Sequence, residues 1–485
     1  ETASSPISLI EQATDLATDD AGLNAQSLKS LSSLVVVKSF REPMRNTPEV
    51  LGKRLGAHKA KHWLAPDGGN GPQYLVNLYA EKISDGSEEF VLLCGAEAMA
   101  TGRKIIKSGK KPDWSIESEN DAELLFQDRQ MWNDHEFMHG IWQASQVYPL
   151  FENALRYHYG NTIEDHQQMM GELFSGLTEI AEKSPHAWYP IKRTPEEIST
   201  ASPSNRYVGW PYTKLMNAMN QINQSAALLM TSVEKAEKMG IDSSRWVFLH
   251  GCSDVTDVWN ISYRKNFYAS PSMKIMGEDA LDMASLGINE IDHLDLYSCF
   301  PSAVQIARNE LGIGSTDSRP LTVTGGLPFH GGAGNNYVMN SIAAMADEVR
   351  FDRDSFGLVT ANGGYISKHA AGIYSTRPVE GQWSRKDSPV RELTVEDVRP
   401  PEFTEDPNGE ATIETYSIVF GRSGEPEKGI VVGRLGSLDD LRSKRFLALI
   451  PKDTDLLSTM TKEEFVGRKG NVRKSDDINQ FAPSL

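Results

Sequence analysis

Residues 66–99 read PDGGNGPQYLVNLYAEKISDGSEEFVLLCGAEAM, a tight turn, an amphipathic helix and an apolar strand in direct succession. Asp67, Gly68, Gly69 and Asn70 make the turn, Pro72 takes a first-turn helical position, and Leu75, Val76, Leu78, Tyr79 and Ile83 form one apolar stripe. A turn of this kind aims a helix N-terminus at whatever the loop holds. Such a site stabilises an anion and lowers a thiol's pKa, so it is a natural seat for a nucleophile. No nucleophilic side chain occupies it.

The alternation extends in both directions. Upstream, ISLIEQATDLATDD (7–20) has helical spacing and SLVVVKSF (33–40) reads as a strand. Downstream lie a helix-rich insertion and the strand QSAALLMTS (224–232). A second series follows: RWVFLHG (245–251), a helix around 273–286, HLDLYS (293–298), helix PSAVQIARNELG (301–312), strand PLTVTGG (320–326), helix NNYVMNSIAAMADEV (335–349), and the paired strands FGLVTANGG and AAGIYST. Strand, helix, strand, helix occurs twice, which predicts two similar α/β halves with buried mixed sheets. The expected division is an N-terminal half at 1–100 and 216–242, a helix-rich loop domain at 101–215, a second half at 243–387, and a separate unit at 388–485. In that last unit the Pro-rich acidic stretch VRPPEFTEDPNGE signals a linker. ATIETYSIVF, KGIVVGRL and RFLALIP then read as antiparallel strands of a small oligonucleotide-binding-type β-barrel.

Charge narrows the partners. The net charge of −17 opposes a sequence-independent grip on nucleic acid or an anionic membrane, and from Lys386 onward 15 basic residues face 19 acidic ones. A protein partner therefore suits the barrel better than nucleic acid. No apolar run reaches the length of a membrane span, and no signal peptide is evident. Cys94, Cys252 and Cys299 are far apart and odd in number, which points to a reducing, cytoplasmic compartment. The chain opens at Glu1 without methionine, as a trimmed form of a longer protein would.

Five stretches could carry chemistry. HEFMH (135–139) has the two-histidine spacing of a zinc helix, but only Glu152 and His158 follow at plausible distances. The plainer alternative is two polar residues on a solvated helix face, and no metal is expected. TGRKIIKSGKK (101–111) gathers Arg103, Lys104, Lys107, Lys110 and Lys111 just after a strand end. Arg103 and Lys104 are the candidates for holding the phosphates of a nucleotide-like ligand, against a solvated charge run. DLYSCFPSAV (295–304) sets Tyr297, Ser298 and Cys299 where a strand becomes a helix, the position at which such folds collect catalytic groups; Cys299 by itself reads as packing. GGLPFHGGAGNNY (325–337) is a glycine-rich turn with His330 as a possible acid or base, or as a satisfied structural histidine. TANGGYISKHA (360–370), with Tyr365 and His369, is a similar junction or simply a tight hairpin.

These junctions, in this order on a duplicated core, resemble the thiolase superfamily over nearly residues 1–385, above all its sterol-carrier-protein-type and thiolase-like branch. EEFVLLCGAEAM is similar to the family's strand ending in Gly-x-Glu-x-Met, NQSAALLMTSVEKAEKMGI to the strand and helix closing the first half, and TVTGGLPFHGGAGNNY to the turn carrying Gly-His-Pro. The fold implied is a duplicated αβαβα core with a helical loop insertion and a small C-terminal barrel. The family's first strand is expected before the helix at residue 7, and these residues do not contain it.

Carried over residue by residue, the resemblance puts the acyl-accepting cysteine at Gly69 and the oxyanion-hole asparagine or histidine at Tyr297. It puts the Gly-His-Pro histidine at Gly332, two residues after His330, and the second cysteine near Ala361. It implies an acyl-CoA thioester ligand with no further cofactor, a homodimer or monomer, and a place in lipid metabolism. A protein filed by descent with acetyl-CoA acetyltransferases would then be unable to form a cysteinyl acyl-enzyme. The alternatives are a tyrosine-dependent retro-aldolase on acyl-CoA esters, with Tyr297 and His330 moving the proton, and a non-catalytic acyl-CoA-binding scaffold.

Overall fold

The computed structural model describes residues 4–40, 45–114, 118, 120–127, 129–381, 383–385, 391–440 and 442–484. The first half runs α1 (Pro6–Asp20), β1 (Ser33–Val37), α2 (Thr47–Leu55), β2 (Lys61–Ala65), α3 (Gly71–Ser84) and β3 (Phe90–Ala98). The insertion adds α4 (Met99–Lys107), α5 (Asp134–Met138), α6 (Ala144–Tyr159), α7 (Ile163–Ala181), α8 (Pro195–Ser199), β4 (Tyr207–Trp210) and β5 (Tyr212–Thr213). The half then closes with β6 (Asn223–Thr231) and α9 (Val233–Met239). The second half comprises β7 (Phe248–Thr256), α10 (Pro271–Ala284), β8 (His293–Asp295), α11 (Pro301–Glu310), α12 (Gly326–Phe329), α13 (Tyr337–Phe351), β9 (Gly357–Gly363) and β10 (Lys368–Ser375). After β11 (Arg391–Glu392) and α14 (Val395–Val398) come β12 (Gly409–Phe420), β13 (Pro426–Leu435), β14 (Arg445–Ile450), α15 (Thr454–Thr459), β15 (Lys469–Ser475) and β16 (Ile478–Pro483). Among the described residues no helix is long and apolar enough to cross a membrane.

The two halves give two mixed sheets, ordered β2-β1-β3-β6 and β11-β7-β10-β9-β8. In each, a parallel pair is followed by an antiparallel strand, β6 or β10. Helices α3 and α13 lie between the sheets, α3 against β3 and β6 on one side and against β7, β9 and β10 on the other. A helix in that position must satisfy its polar groups internally. Buried Gln73 donates to Asn77 at 2.8 Å, Asn77 donates to Asp254 at 3.1 Å, and the Tyr374 hydroxyl donates to Gln73 at 2.8 Å. Helices α1 and α2 cover the outer face of the first sheet, and α10 covers that of the second. The outer edge of β2 is not bare: the Leu64 N–H donates to the Glu123 carbonyl at 2.9 Å, and the Leu125 N–H donates back to Leu64 at 3.0 Å.

Several sequence expectations change. PLTVTGG is not a strand. Leu296 donates one backbone bond to Leu321, but beyond it side chains replace the ladder: Asp295 accepts from the Val323 N–H, and the Thr322 hydroxyl accepts from the N–H groups of Thr324 and Gly325. The strand expected at 245–251 begins at Phe248 and continues to Thr256, while EEFVLLC continues to Ala98. Helix α2 and strand β2 have no counterpart in the sequence reading. The expected start of the linker near 388 lies outside the described residues.

Strands β12, β13, β14, β16 and β15 close into a five-stranded barrel, β14 and β16 being its one parallel pair. The insertion is continuous with it. β4 pairs with β12, and Trp210 joins the barrel core beside Tyr416 and Phe465. Fully buried Arg445 pairs with Glu414 and donates to the carbonyls of Ser262, Arg264 and Lys265, which fastens the barrel to the second half.

Candidate functional site

The turn before α3 is fixed from three sides. Asn335, in the glycine-rich turn, accepts from the Gly68 N–H at 3.0 Å and donates to the Lys38 carbonyl at 3.0 Å and to Asp67 at 2.9 Å. Lys368, at the start of β10, donates to the Asp67 carbonyl at 2.8 Å, and Lys38 pairs with Asp67 at 2.7 Å. Neighbouring Asn336 donates to the Gly95 carbonyl at 2.8 Å. The junctions read separately from the sequence therefore meet at the start of α3. Asn70, the residue before this helix, makes no capping bond, and Pro72 brings no N–H, so the helix start keeps its partial positive charge.

Gly69 is where the site is most constrained. A Cβ built there would overlap the Tyr297 hydroxyl and come within 2.5 Å of the Asn362 carbonyl oxygen. The phenol thus stands in the space where a side chain at position 69 would begin. Tyr297 follows β8, its N–H donates to Thr360 at 3.1 Å, and its ring meets Tyr337 edge-on at 5.8 Å. Burial raises its pKa well above the usual phenol value, so the hydroxyl keeps its proton and acts as a donor at neutral pH. Gly69→Ala is expected to destabilise the fold by about 1–3 kcal/mol, because Tyr297 or the β9 backbone must move. Chemical denaturation of the two proteins measures it.

Two residues of this cluster were not singled out in the sequence. Asn362, 2% exposed, donates to the Tyr148 hydroxyl at 3.0 Å, lies 4.0 Å from the Cys299 sulfur, and has no partner for Oδ1. Tyr148 reaches in from α6, donates to the Gly364 carbonyl at 3.0 Å and stacks on Phe300 at 4.3 Å. Asn362 sits inside the quoted TANGG and was open to notice; nothing local marks Tyr148. Burial pushes the Cys299 thiol up to about 12, and burial also raises Cys94 and Cys252. None of the three is a thiolate at neutral pH.

His330 is 2% exposed, and its ring nitrogens, with the Thr324 backbone and the Asn340 side chain nearby, make no hydrogen bond of good geometry. No hydrogen bond links it to Tyr297; both rings pack edge-on against Tyr337, His330 at 6.0 Å. Gly332 faces the Asn220 side chain at 2.7 Å from its would-be Cβ, and Ala361 is buried in β9 opposite Ala370. Tyr365 and His369 are buried around the β9–β10 hairpin. Arg103 and Lys104 stand on the exposed face of α4.

The HEFMH stretch is not a solvated helix face. Both histidines are buried, with ring centroids 4.2 Å apart, and His139 accepts from the Asn479 N–H of β16 at 3.0 Å. Glu136 accepts from Asn260 and from the Ser262 N–H and hydroxyl. The motif is a joint between insertion, second half and barrel. Among the described residues no third metal ligand joins it. Glu152 is instead buried in a network with His166, Tyr212 and Gln305, all at 2.6 Å.

Burial depresses His139, His330 and His369 to about 4. The unfolded chain, with histidines near 6.5, then binds more protons between pH 6.5 and 4, so stability falls as pH drops through that window. At pH 5 the loss is about 2 kcal/mol per histidine. Denaturant midpoints at pH 7.5, 6 and 5 measure it, and His330→Gln should remove its share.

Residues 389–477 match the family described as thiolase-like protein type 1 additional C-terminal domain. No curated protein matches the chain. Among solved structures, a monomeric SCP2-thiolase like protein type 1 from Mycobacterium smegmatis is similar at 32% identity and a TM-score of 0.83, over 99% of this chain and 95% of that one. The Ltp2-ChsH2(DUF35) aldolase is similar at 19% identity and a TM-score of 0.56, over 77% and 94% of the chains. An acetyl-CoA acetyltransferase from Syntrophomonas wolfei is similar at 13% identity and 0.55, over 77% and 94%. The last two likenesses concern the fold alone.

Proposed function

Because this chain belongs to the SCP2-thiolase-like proteins of type 1, within the thiolase superfamily, we propose that it holds acyl-CoA thioesters at the start of α3 without forming a cysteinyl acyl-enzyme. One observation carries this reading: the Tyr297 hydroxyl occupies the space above Gly69 where a nucleophile's side chain would start. A thiolate divides acyl transfer into two easier steps, and glycine has no equivalent. By analogy with nucleophile deletions, ordinary thiolysis should be slower by roughly a millionfold.

The same observation favours a second reading, a retro-aldol cleavage of β-hydroxyacyl thioesters. That reaction needs a donor to the thioester oxygen as it becomes an enolate, and a protonated phenol beside a helix N-terminus supplies one. A fold neighbour is an aldolase. His330 has no hydrogen bond to Tyr297, so the proton-moving pair expected from the sequence would need Tyr337 or its own ring to shift.

The test is incubation with a panel of acyl-CoA and β-hydroxyacyl-CoA esters, with mass spectrometry of protein and small molecules and calorimetry with coenzyme A. Binding without any acyl mass on Cys94, Cys252 or Cys299 supports the first reading, and a released carbonyl fragment supports the second. Binding without product leaves a scaffold. An acyl adduct on Cys299 would overturn both readings.

A further inference from the structure

The five cations after β3 are not absorbed by the site. Arg103, Lys104, Lys107, Lys110 and Lys111 are all exposed, and among the described residues none of them makes an ion pair. On α4, residues 103, 106 and 107 share one face by helical spacing, with Lys110 and Lys111 just beyond its end. Amid them Ile106 is 63% exposed. Lys104 and Lys107 complement the C-terminal end of the helix dipole, which accounts for those two alone.

From this patch we infer that α4 docks an acidic protein carrying its acyl group as a thioester on a pantetheine arm. The inference rests on the thioester reading of the site. A nucleotide's phosphates would engage two or three of these cations and leave the others unanswered. A protein face uses the cations and Ile106 together, an apolar centre within a charged rim. The chain as a whole, with its net charge of −17, disfavours an acidic partner, so a local run of five exposed cations would also set the partner's orientation.

The patch is held in fixed relation to the site. The Ala100 N–H donates to the Ile222 carbonyl at 3.0 Å, and Thr101 and Asn223 exchange hydrogen bonds at 3.0 and 2.8 Å. The next residue, Gln224, donates to the His330 carbonyl at 2.7 Å. A carrier seated on α4 would therefore keep its position relative to the glycine-rich turn and to Gly69.

The experiment measures binding of an acidic acyl carrier protein in apo, pantetheinylated and acetylated forms, and of acetyl-CoA, to the full chain. The variants are the Arg103→Glu, Lys107→Glu, Lys110→Glu triple reversal and Ile106→Ala, each checked for folding by circular dichroism. The triple reversal should weaken all three carrier forms at least about a hundredfold, and wild-type affinity should fall steeply with salt. Ile106→Ala should weaken them by about tenfold, with acetyl-CoA affinity unchanged. No carrier binding to the wild type, or equal binding to the triple reversal, overturns the proposal. So does a loss confined to acetyl-CoA, which would make the cluster a phosphate site. Failure of acetyl-CoA alone to bind wild type would sink the thioester reading, while the apo-carrier arm would still decide the patch.

Discussion

Tyr297→Phe is expected to cut any thioester-dependent reaction of this protein by about 10²–10³-fold while leaving acyl-CoA affinity within about threefold. The ring of Phe preserves the edge-on contact with Tyr337 and the space above Gly69, so only the hydroxyl is lost. A donor aimed at developing negative charge is worth about 2.7–4 kcal/mol in the transition state and much less in the ground state. Two readouts check it: release of a carbonyl fragment from β-hydroxyacyl-CoA esters, and exchange of the α-protons of acetyl-CoA in deuterated water. Because burial holds the phenol above its usual value, the wild-type rate should also stay level through pH 9. Equal rates in the two proteins would remove Tyr297 from the chemistry.

Arg445→Met is expected to be the most destabilising single change, at about 3–5 kcal/mol. The guanidinium is fully buried, pairs with Glu414 and answers three carbonyls of the 262–265 segment. Removing it leaves the mostly buried Glu414 carboxylate without its ion-pair partner and three carbonyls without that donor. Adding Glu414→Gln should restore part of the loss, since the unpaired charge then disappears. Denaturant unfolding followed by tryptophan fluorescence, with Trp210 in the barrel core, reports on it. A change under about 1 kcal/mol would mean the seam is held by other contacts.

Where local pattern and tertiary environment agree, the structure matches the sequence. The amphipathic helix after Pro72 and the apolar strand EEFVLLC both form, the strand running four residues further, to Ala98. The resemblance implies that Gly69 stands at the acyl-accepting position, and the overlap of a Cβ there with the Tyr297 hydroxyl gives a steric reason for glycine at residue 69. Other features depend on partners far along the chain. PLTVTGG has strand composition, yet Asp295 and Thr322 take its backbone bonds. HEFMH looked like a surface motif because the residues that bury it come from 260–262 and 479. Tyr148 enters the site from more than two hundred positions before Asn362, a pairing that spacing cannot encode.

The backbone bonds between Leu64 and residues 123–125 bear on how copies of this chain meet. On that side the first sheet can grow into a neighbouring molecule only if the chain's own segment is first peeled away, which returns the N–H groups of Leu64 and Leu125 and the carbonyls of Leu64 and Glu123 to competition with water. Assembly by strand continuation there thus carries a built-in penalty at any protein concentration.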